Sequence, residues 1–269
     1  MGFWRTIFMA VLLAAAHGAC AFDQTHAAWN ELLKRDVIVA ASGNSSRIDY
    51  AGFKRDQDAL TLYLDGLSAV AAAEYQGWTR EQQLAFLINA YNAYTIKLVL
   101  TRYPGIKSIK DLGSLVQSPW KKEFFNLLGA ARSLDFVEHG MIRAPGAFDE
   151  PRIHFALNCA SIGCPMLREE AYVAERLAAQ LESGVRRFLG DRARNRYDAV
   201  TGRLELSAIF DWYKADFDKG GRGTSSVPLF LARYADFIAD DAVGHALVRR
   251  GQLPIRYLDY DWTLNDVTR

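Results

Sequence analysis

The segment from Arg152 to Cys164 reads R-I-H-F-A-L-N-C-A-S-I-G-C and holds two of the chain's three cysteines. A histidine stands five residues before the first of them, and small residues separate the pair. A thiol attacks as its thiolate, so it needs a neighbouring base or a lowered pKa. Cys159 is the candidate nucleophile, and His154 and His139 are the candidate bases. His26 lies near the N-terminus and His245 on a distant helix. Glu138 is placed to orient an imidazole. Asn158, or a backbone N–H beyond Cys159, could donate to an oxyanion. Cys164 is a second thiol beside them.

Local geometry limits these pairings. In a regular strand His154 shares a face with Ala156 and Asn158, while Cys159 points the other way. His154 then meets Cys159 only if the strand bends at Asn158; His139, from another element, has no such restriction. Neighbours on a helix diverge by about 100°, so Glu138 and His139 should not pair directly. The spacer Ala160-Ser161-Ile162-Gly163 is small enough to turn for a disulfide. Closing so short a loop would restrict few unfolded conformations, which weakens a purely stabilising role. His139, His154, Cys159 and Cys164 could together be zinc ligands, but the C-x-x-C spacing of a knuckle is missing and the histidines are scattered. No metal or cofactor is expected. The chain has no P-loop, G-x-G-x-x-G or G-x-S-x-G.

The elements that must hold this segment follow from periodicity. Trp29, Leu32, Leu33 and Val37 give a helix from Thr25 to about Val39, and a second runs from about Phe53 to Ala72. Thr79 with Gln82 three residues on is a capping box. It opens a helix with Leu84, Leu87, Ile88, Tyr91, Tyr94, Thr95 and Leu98 on one stripe, ended by Tyr103-Pro104-Gly105. Asn89 and Asn92 lie on another face of this mostly apolar helix. If buried they need partners, either neighbouring backbone or a ligand. A hairpin is predicted around Gly129-Ala130-Ala131, then a short helix from Leu134 to Arg143 capped by Ser133. Ile153 to Leu157 reads as a buried strand. A helix over Val173–Leu189 and a hairpin over Asn195–Ser207 follow. Short helices at Ile209–Phe217, Pro228–Phe237 and Asp241–Arg249 lead to an extended tail at Ile255–Trp262. The pattern predicts one helix-rich α+β domain with a small sheet and hairpins, spanning 22–269.

Residues 1–21 read as a secretory signal. Arg5 is the basic start, Thr6–Ala16 the apolar run, and Ala19-Cys20-Ala21 the cleavage box, with the cut after Ala21. Lipidation at Cys20 is disfavoured because His17-Gly18-Ala19 lacks the usual leucine. A periplasmic or secreted location is therefore expected, in which Cys159 and Cys164 could oxidise. No later segment is long and apolar enough to span a membrane. Lys+Arg number 32 against 31 Asp+Glu, so the basic footprint of a nucleic-acid binder is lacking.

Four motifs carry a resemblance: F-L-I-N-A-Y-N-A-Y (Phe86–Tyr94), L-D-F-V-E-H-G-M-I-R (Leu134–Arg143), P-R-I-H-F-A-L-N-C-A-S-I-G-C-P (Pro151–Pro165) and L-S-A-I-F-D-W-Y (Leu206–Tyr213). With them the chain resembles the bacterial and plant domain of unknown function number 547, over about Ile48–Trp262. Met166 departs from that pattern, where relatives show a second proline. The resemblance implies that Glu138, His139, His154, Asn158, Cys159 and Cys164 act together. In outline such a domain is also similar to papain and transglutaminase-like thiol hydrolases, although their cysteine usually precedes their histidine. The expected activity is a thiol-dependent hydrolase or acyl transferase acting on an amide or thioester of a small molecule or peptide. The contrasting expectation is a non-catalytic periplasmic binding or scaffold domain with a structural Cys159–Cys164 disulfide.

Overall fold

Helix α1 (Ala27–Asp36) runs directly into strand β1 (Val37–Val39), which pairs antiparallel with β2 (Ser46–Ile48). This computed structural model describes residues 21–114, 116–219 and 224–268. The expected signal segment, apart from Ala21, lies outside the described residues. After β2 the chain forms α2 (Tyr50–Arg55), α3 (Gln57–Ala69) and α4 (Ala72–Gln76) in place of one helix from Phe53 to Ala72. The Asp49 carboxylate accepts the Gly52 N–H at 2.8 Å and so starts the helix early.

Helix α5 (Arg80–Leu100) forms as its capping box predicts. Thr79 Oγ1 accepts the Gln82 N–H, and the Gln82 side chain accepts the Thr79 N–H. Every residue from Leu84 to Ile96 is buried, so α5 is the axis of the main core. The hairpin of β3 (Phe125–Leu127) and β4 (Ala130–Arg132) turns at Leu128-Gly129, with φ of +53° and +79°. That turn falls one residue earlier than the sequence predicts, at the two positions that supply positive φ.

Two expectations next to the site need correction. Residues Phe136–Ile142 wind as a π-helix, with the Arg143 N–H bonded back five residues to the Glu138 carbonyl at 2.9 Å. Ser133 does cap this turn, accepting the Phe136 N–H at 3.1 Å. The predicted strand Ile153–Leu157 is instead a 3₁₀ helix over Pro151–Phe155. Pro151 fixes the first φ, and the Glu150 carboxylate accepts both the Arg152 N–H and its guanidinium. The N–H groups of Ala156 and Leu157 then turn back onto the Ile153 carbonyl, so local bonds replace a sheet ladder.

The remaining chain packs on that segment. Helix α6 (Leu177–Gly190) lies against it, and at Gly184 an added Cβ would stand 3.1 Å from the Phe155 carbonyl oxygen. Strands β5 (Arg196–Asp198), β6 (Arg203–Ser207) and β7 (Ile255–Leu258) form one sheet, β6 central and parallel to β7. Between β6 and β7 lie α7 (Ile209–Trp212), α8 (Lys214–Asp218), α9 (Val227–Ala232), α10 (Ala235–Ile238) and α11 (Ala242–Arg249). Phe188, Phe210, Phe217 and Phe230 build a second core here, which Phe155 joins, while Ile153, Ala156 and Leu157 belong to the α5 core. The 3₁₀ segment therefore straddles two cores in one helix-rich α+β domain. Among the described residues no helix is long and apolar enough to cross a membrane.

His26 gives this fold a pH dependence. It is buried, 2.7 Å from the Tyr63 hydroxyl through Nδ1, and burial pushes its pKa down to about 4. Its pKa in the unfolded chain is about 6.5. This contribution is complete above that value and is lost as pH falls toward 4, because only the unfolded state takes the proton. Between pH 7 and 5, urea unfolding should cost the wild type about 2 kcal/mol more stability than it costs His26→Gln. Equal losses in the two proteins would count against this assignment.

Candidate functional site

Three elements and two strand exits converge on a cavity of about 290 Å³. The π-helix contributes Glu138 and His139, the 3₁₀ segment His154, and the loop after it Cys159 and Cys164. Trp212 and Tyr213 follow β6, and Tyr260 and Trp262 follow β7. Parallel strands end on the same side, so the aromatic residues beyond both C-terminal ends meet there. Five sequence candidates thus share one cavity, while Asn89, Asn92 and Asn158 stand behind its wall.

The asparagines hold backbone. Asn92 Nδ2 donates to the Ala156 carbonyl at 2.9 Å, and its Oδ1 accepts the Asn158 N–H at 2.8 Å. Asn89 makes the same paired contact with Tyr172. Asn158 donates to the Pro165 carbonyl at 2.7 Å and accepts the Ala160 N–H at 3.0 Å, spanning the cysteine loop from inside. The tail binds the loop from outside: Ile162 N–H donates to the Thr263 carbonyl and Gly163 N–H to that of Asp261, each at 2.8 Å. A Cβ at Gly163 would lie 3.0 Å from the Asp261 backbone and from the Tyr260 ring, so glycine permits the approach that delivers Tyr260. Arg194 closes the loop from a third side, donating to the Cys164 carbonyl. Ala160, next to Cys159, is held at φ +61°, a conformation that costs an alanine about 1–2 kcal/mol.

The two thiols differ in kind. Their sulfurs lie 2.8 Å apart, unbridged, against about 2.05 Å in a disulfide. Cys159 Sγ also meets the Tyr260 hydroxyl at 3.0 Å and the Ser161 hydroxyl at 3.4 Å. The hydrogen bond from Cys164, helped by Ser161 and Tyr260, lowers the Cys159 pKa against the opposing effect of burial. Burial pushes the Cys164 thiol well up, so the proton stays on Cys164 and the thiolate forms at Cys159. Among the described residues no histidine hydrogen-bonds Cys159.

His154 is held by a residue that sequence reasoning missed. Its Nε2 lies 2.8 Å from Asp216 Oδ2. A carboxylate accepts, so Nε2 carries the proton and Nδ1 the lone pair. Burial lowers the His154 pKa, the Asp216 hydrogen bond opposing it; the ring stacks on Tyr213 with centroids 3.9 Å apart. Burial works to raise the Asp216 pKa, but hydrogen bonds from His154, Arg143 and Lys219 outweigh it and hold that carboxyl well below the usual range. Arg143 also donates to His139 Nδ1, which leaves the neutral His139 proton on Nε2, 3.9 Å from Glu138 and 3.8 Å from Asp135. Glu138 itself is buried and bonds the Tyr213 hydroxyl. The wider π turn thus brings Glu138 and His139 to one cavity without a hydrogen bond between them.

Asp216, Tyr260, Trp120 and Trp262 carried no local signal in the sequence; Tyr213 lay in a quoted motif without an assigned role. Among the described residues no group of three or more His, Cys, Asp or Glu is arranged to hold a metal ion.

The fold and site define a helix-rich α+β protein with a thiol and a carboxylate-held imidazole in one cavity. The chain resembles the family described as protein of unknown function, DUF547, whose model matches residues 75–189. That span is shorter than the motifs suggested. It includes all eight candidate residues and stops short of Asp216, Tyr213 and Tyr260. No curated protein and no solved structure matches the chain.

Two measurements probe this geometry. Asn92→Leu leaves a buried carbonyl and a buried N–H unpaired and should cost about 2–4 kcal/mol in urea unfolding; an unchanged midpoint would mean the loop does not depend on α5. In reduced protein, the rate of Cys159 alkylation by iodoacetamide should rise with a midpoint below that of free cysteine. Cys164→Ala removes the donor and should move that midpoint upward; a downward move would reverse the assignment within the pair.

Proposed function

We propose that the protein is an exported thiol-dependent hydrolase or acyl transferase, acting on an amide or thioester, with residues 22–269 as its mature domain. One observation carries this reading: Cys159, with its lowered pKa, shares a cavity with His154, whose Nδ1 is left basic by the Asp216 bond. Cys159 attacks the carbonyl carbon, forming an S–C bond, while His154 takes the thiol proton on Nδ1. As the tetrahedral intermediate collapses, the C–N or C–S bond breaks and His154 returns the proton to the leaving amine or thiol. Water or a second nucleophile then frees the acyl group by the reverse sequence.

Asp216 takes the orienting role first expected of Glu138. His139 stands as the alternative base at the cavity mouth. The amides of Ala160, Ile162, Gly163 and Cys164 are committed to carbonyl partners. The oxyanion donors are the Cys159 N–H, now bonded to the Cys164 sulfur, and the Tyr260 hydroxyl, 3.0 Å from Cys159 Sγ. Asn89, Asn92 and Asn158 are positioning residues. The short sulfur–sulfur distance favours one second reading, a non-catalytic domain closed by a Cys159–Cys164 disulfide.

Incubating the full chain with phenyl thioacetate and mapping acetyl adducts by peptide mass separates the two. Acetylation at Cys159, absent in Cys159→Ala and slowed about 100-fold or more in Asp216→Asn, is the expected result. An unreduced protein with no alkylatable thiol and no adduct after reduction would sink the enzyme reading in favour of the disulfide.

A further inference from the structure

The cavity wall opposes aromatic faces and negative charge to whatever enters. Trp212 packs on Tyr260 and Trp262 with ring centroids 4.8 and 5.8 Å away, Tyr260 on Trp262 at 4.5 Å, and Trp120 on Trp262 at 5.8 Å. This is a continuous wall, and Trp212 leaves 48 % of its surface open. Rings that line the cavity already take cations on a face. Lys110 Nζ stands 3.7 Å from the Trp262 centroid, and the Arg143 guanidinium 4.7 Å from that of Tyr213.

The carboxylates on the cavity are those of Asp135 and Glu138, alongside the two imidazoles; no lysine or arginine lines it. Glu138 is only 7 % exposed, and among the described residues the one basic group within ion-pair distance of either carboxylate is His139. A buried carboxylate is costly without a cation to face it. Asp216 shows the contrast, since Arg143 and Lys219 neutralise it away from the cavity.

We infer that this cavity binds an organic cation, an alkylammonium group of the substrate, with its charge toward Glu138 and Asp135 and its carbon shell on Trp212. Ring faces attract alkylammonium ions through the quadrupole, and most strongly where water is excluded. As a statement about substrate, this rests on the thiol reading above. The acyl carbon would then lie toward Cys159 and the ammonium toward the π-helix.

Calorimetric titration of the full chain at fixed ionic strength tests it with choline, n-butylammonium and 3,3-dimethyl-1-butanol, the neutral isostere of choline. Both cations should bind at least about tenfold tighter than the alcohol, and their ratio tells a quaternary from a primary ammonium site. Trp212→Leu and Asp135→Asn should each weaken the cations about fivefold or more while leaving the alcohol unchanged. Bound choline should slow alkylation of Cys159, which locates it in this cavity. Cys159→Ala should keep the preference, so a failed thiol mechanism would leave this result standing. Equal binding of choline and the alcohol would overturn the inference in favour of a neutral ring-binding wall. No binding of either cation, or binding that leaves Cys159 alkylation unaffected, would overturn it outright.

Discussion

Backbone that is buried outside helices and strands must still pair its N–H and C=O groups, and the thiol loop meets this demand through side-chain amides. Asn92 on α5 bonds the carbonyl of Ala156 and the N–H of Asn158. Asn158 repeats the device one layer out, between Ala160 and Pro165. Each amide mimics one rung of a sheet ladder. Because α5 is buried almost all round, the rungs are anchored to the axis of the main core. The position of Cys159 therefore depends on a helix whose Tyr91 lines the cavity while its Asn92 works from behind the wall.

Two buried carboxylates acquire opposite characters from their surroundings. Asp216 gathers donors from His154, Arg143 and Lys219, so its charge is matched within the protein. Glu138 is met by a tyrosine hydroxyl and a half-exposed histidine. The first carboxylate fixes an imidazole tautomer; the second leaves negative potential directed at the ligand space. The same residue class supplies orientation in one place and attraction in the other, and the difference lies wholly in the neighbours.

What the sequence revealed follows the range of the interactions involved. The α5 capping box acts between residues three apart, and the hairpin turns are equally local, so both were legible from residue type. The Ile153–Leu157 run reads as a strand because four apolar residues around one histidine do not distinguish a strand from a tight helical turn. Pro151 and the Glu150–Arg152 pair decided between them. Glu138 reads from the sequence as the residue to orient an imidazole, yet the carboxylate that holds His154, Asp216, lies 62 residues away on α8. Nothing in local spacing marks such a pair. The aromatic wall is invisible for a related reason: Trp212, Tyr260 and Trp262 meet because β6 and β7 are parallel and end together, and Trp120 joins them from a distant segment.

The last residues of the chain close structures begun near its start. Ile48 of β2 donates to the Asn265 carbonyl and accepts from the Val267 N–H, while the Tyr50 hydroxyl reaches Asn265 Oδ1 at 2.8 Å. The same few tail residues clasp the thiol loop. Asn265 sits in both clasps, accepting the Ile48 N–H and donating its own N–H to the Ala160 carbonyl. One short stretch of chain therefore couples the β2 edge to the cysteine loop, so a disturbance at either is felt at the other.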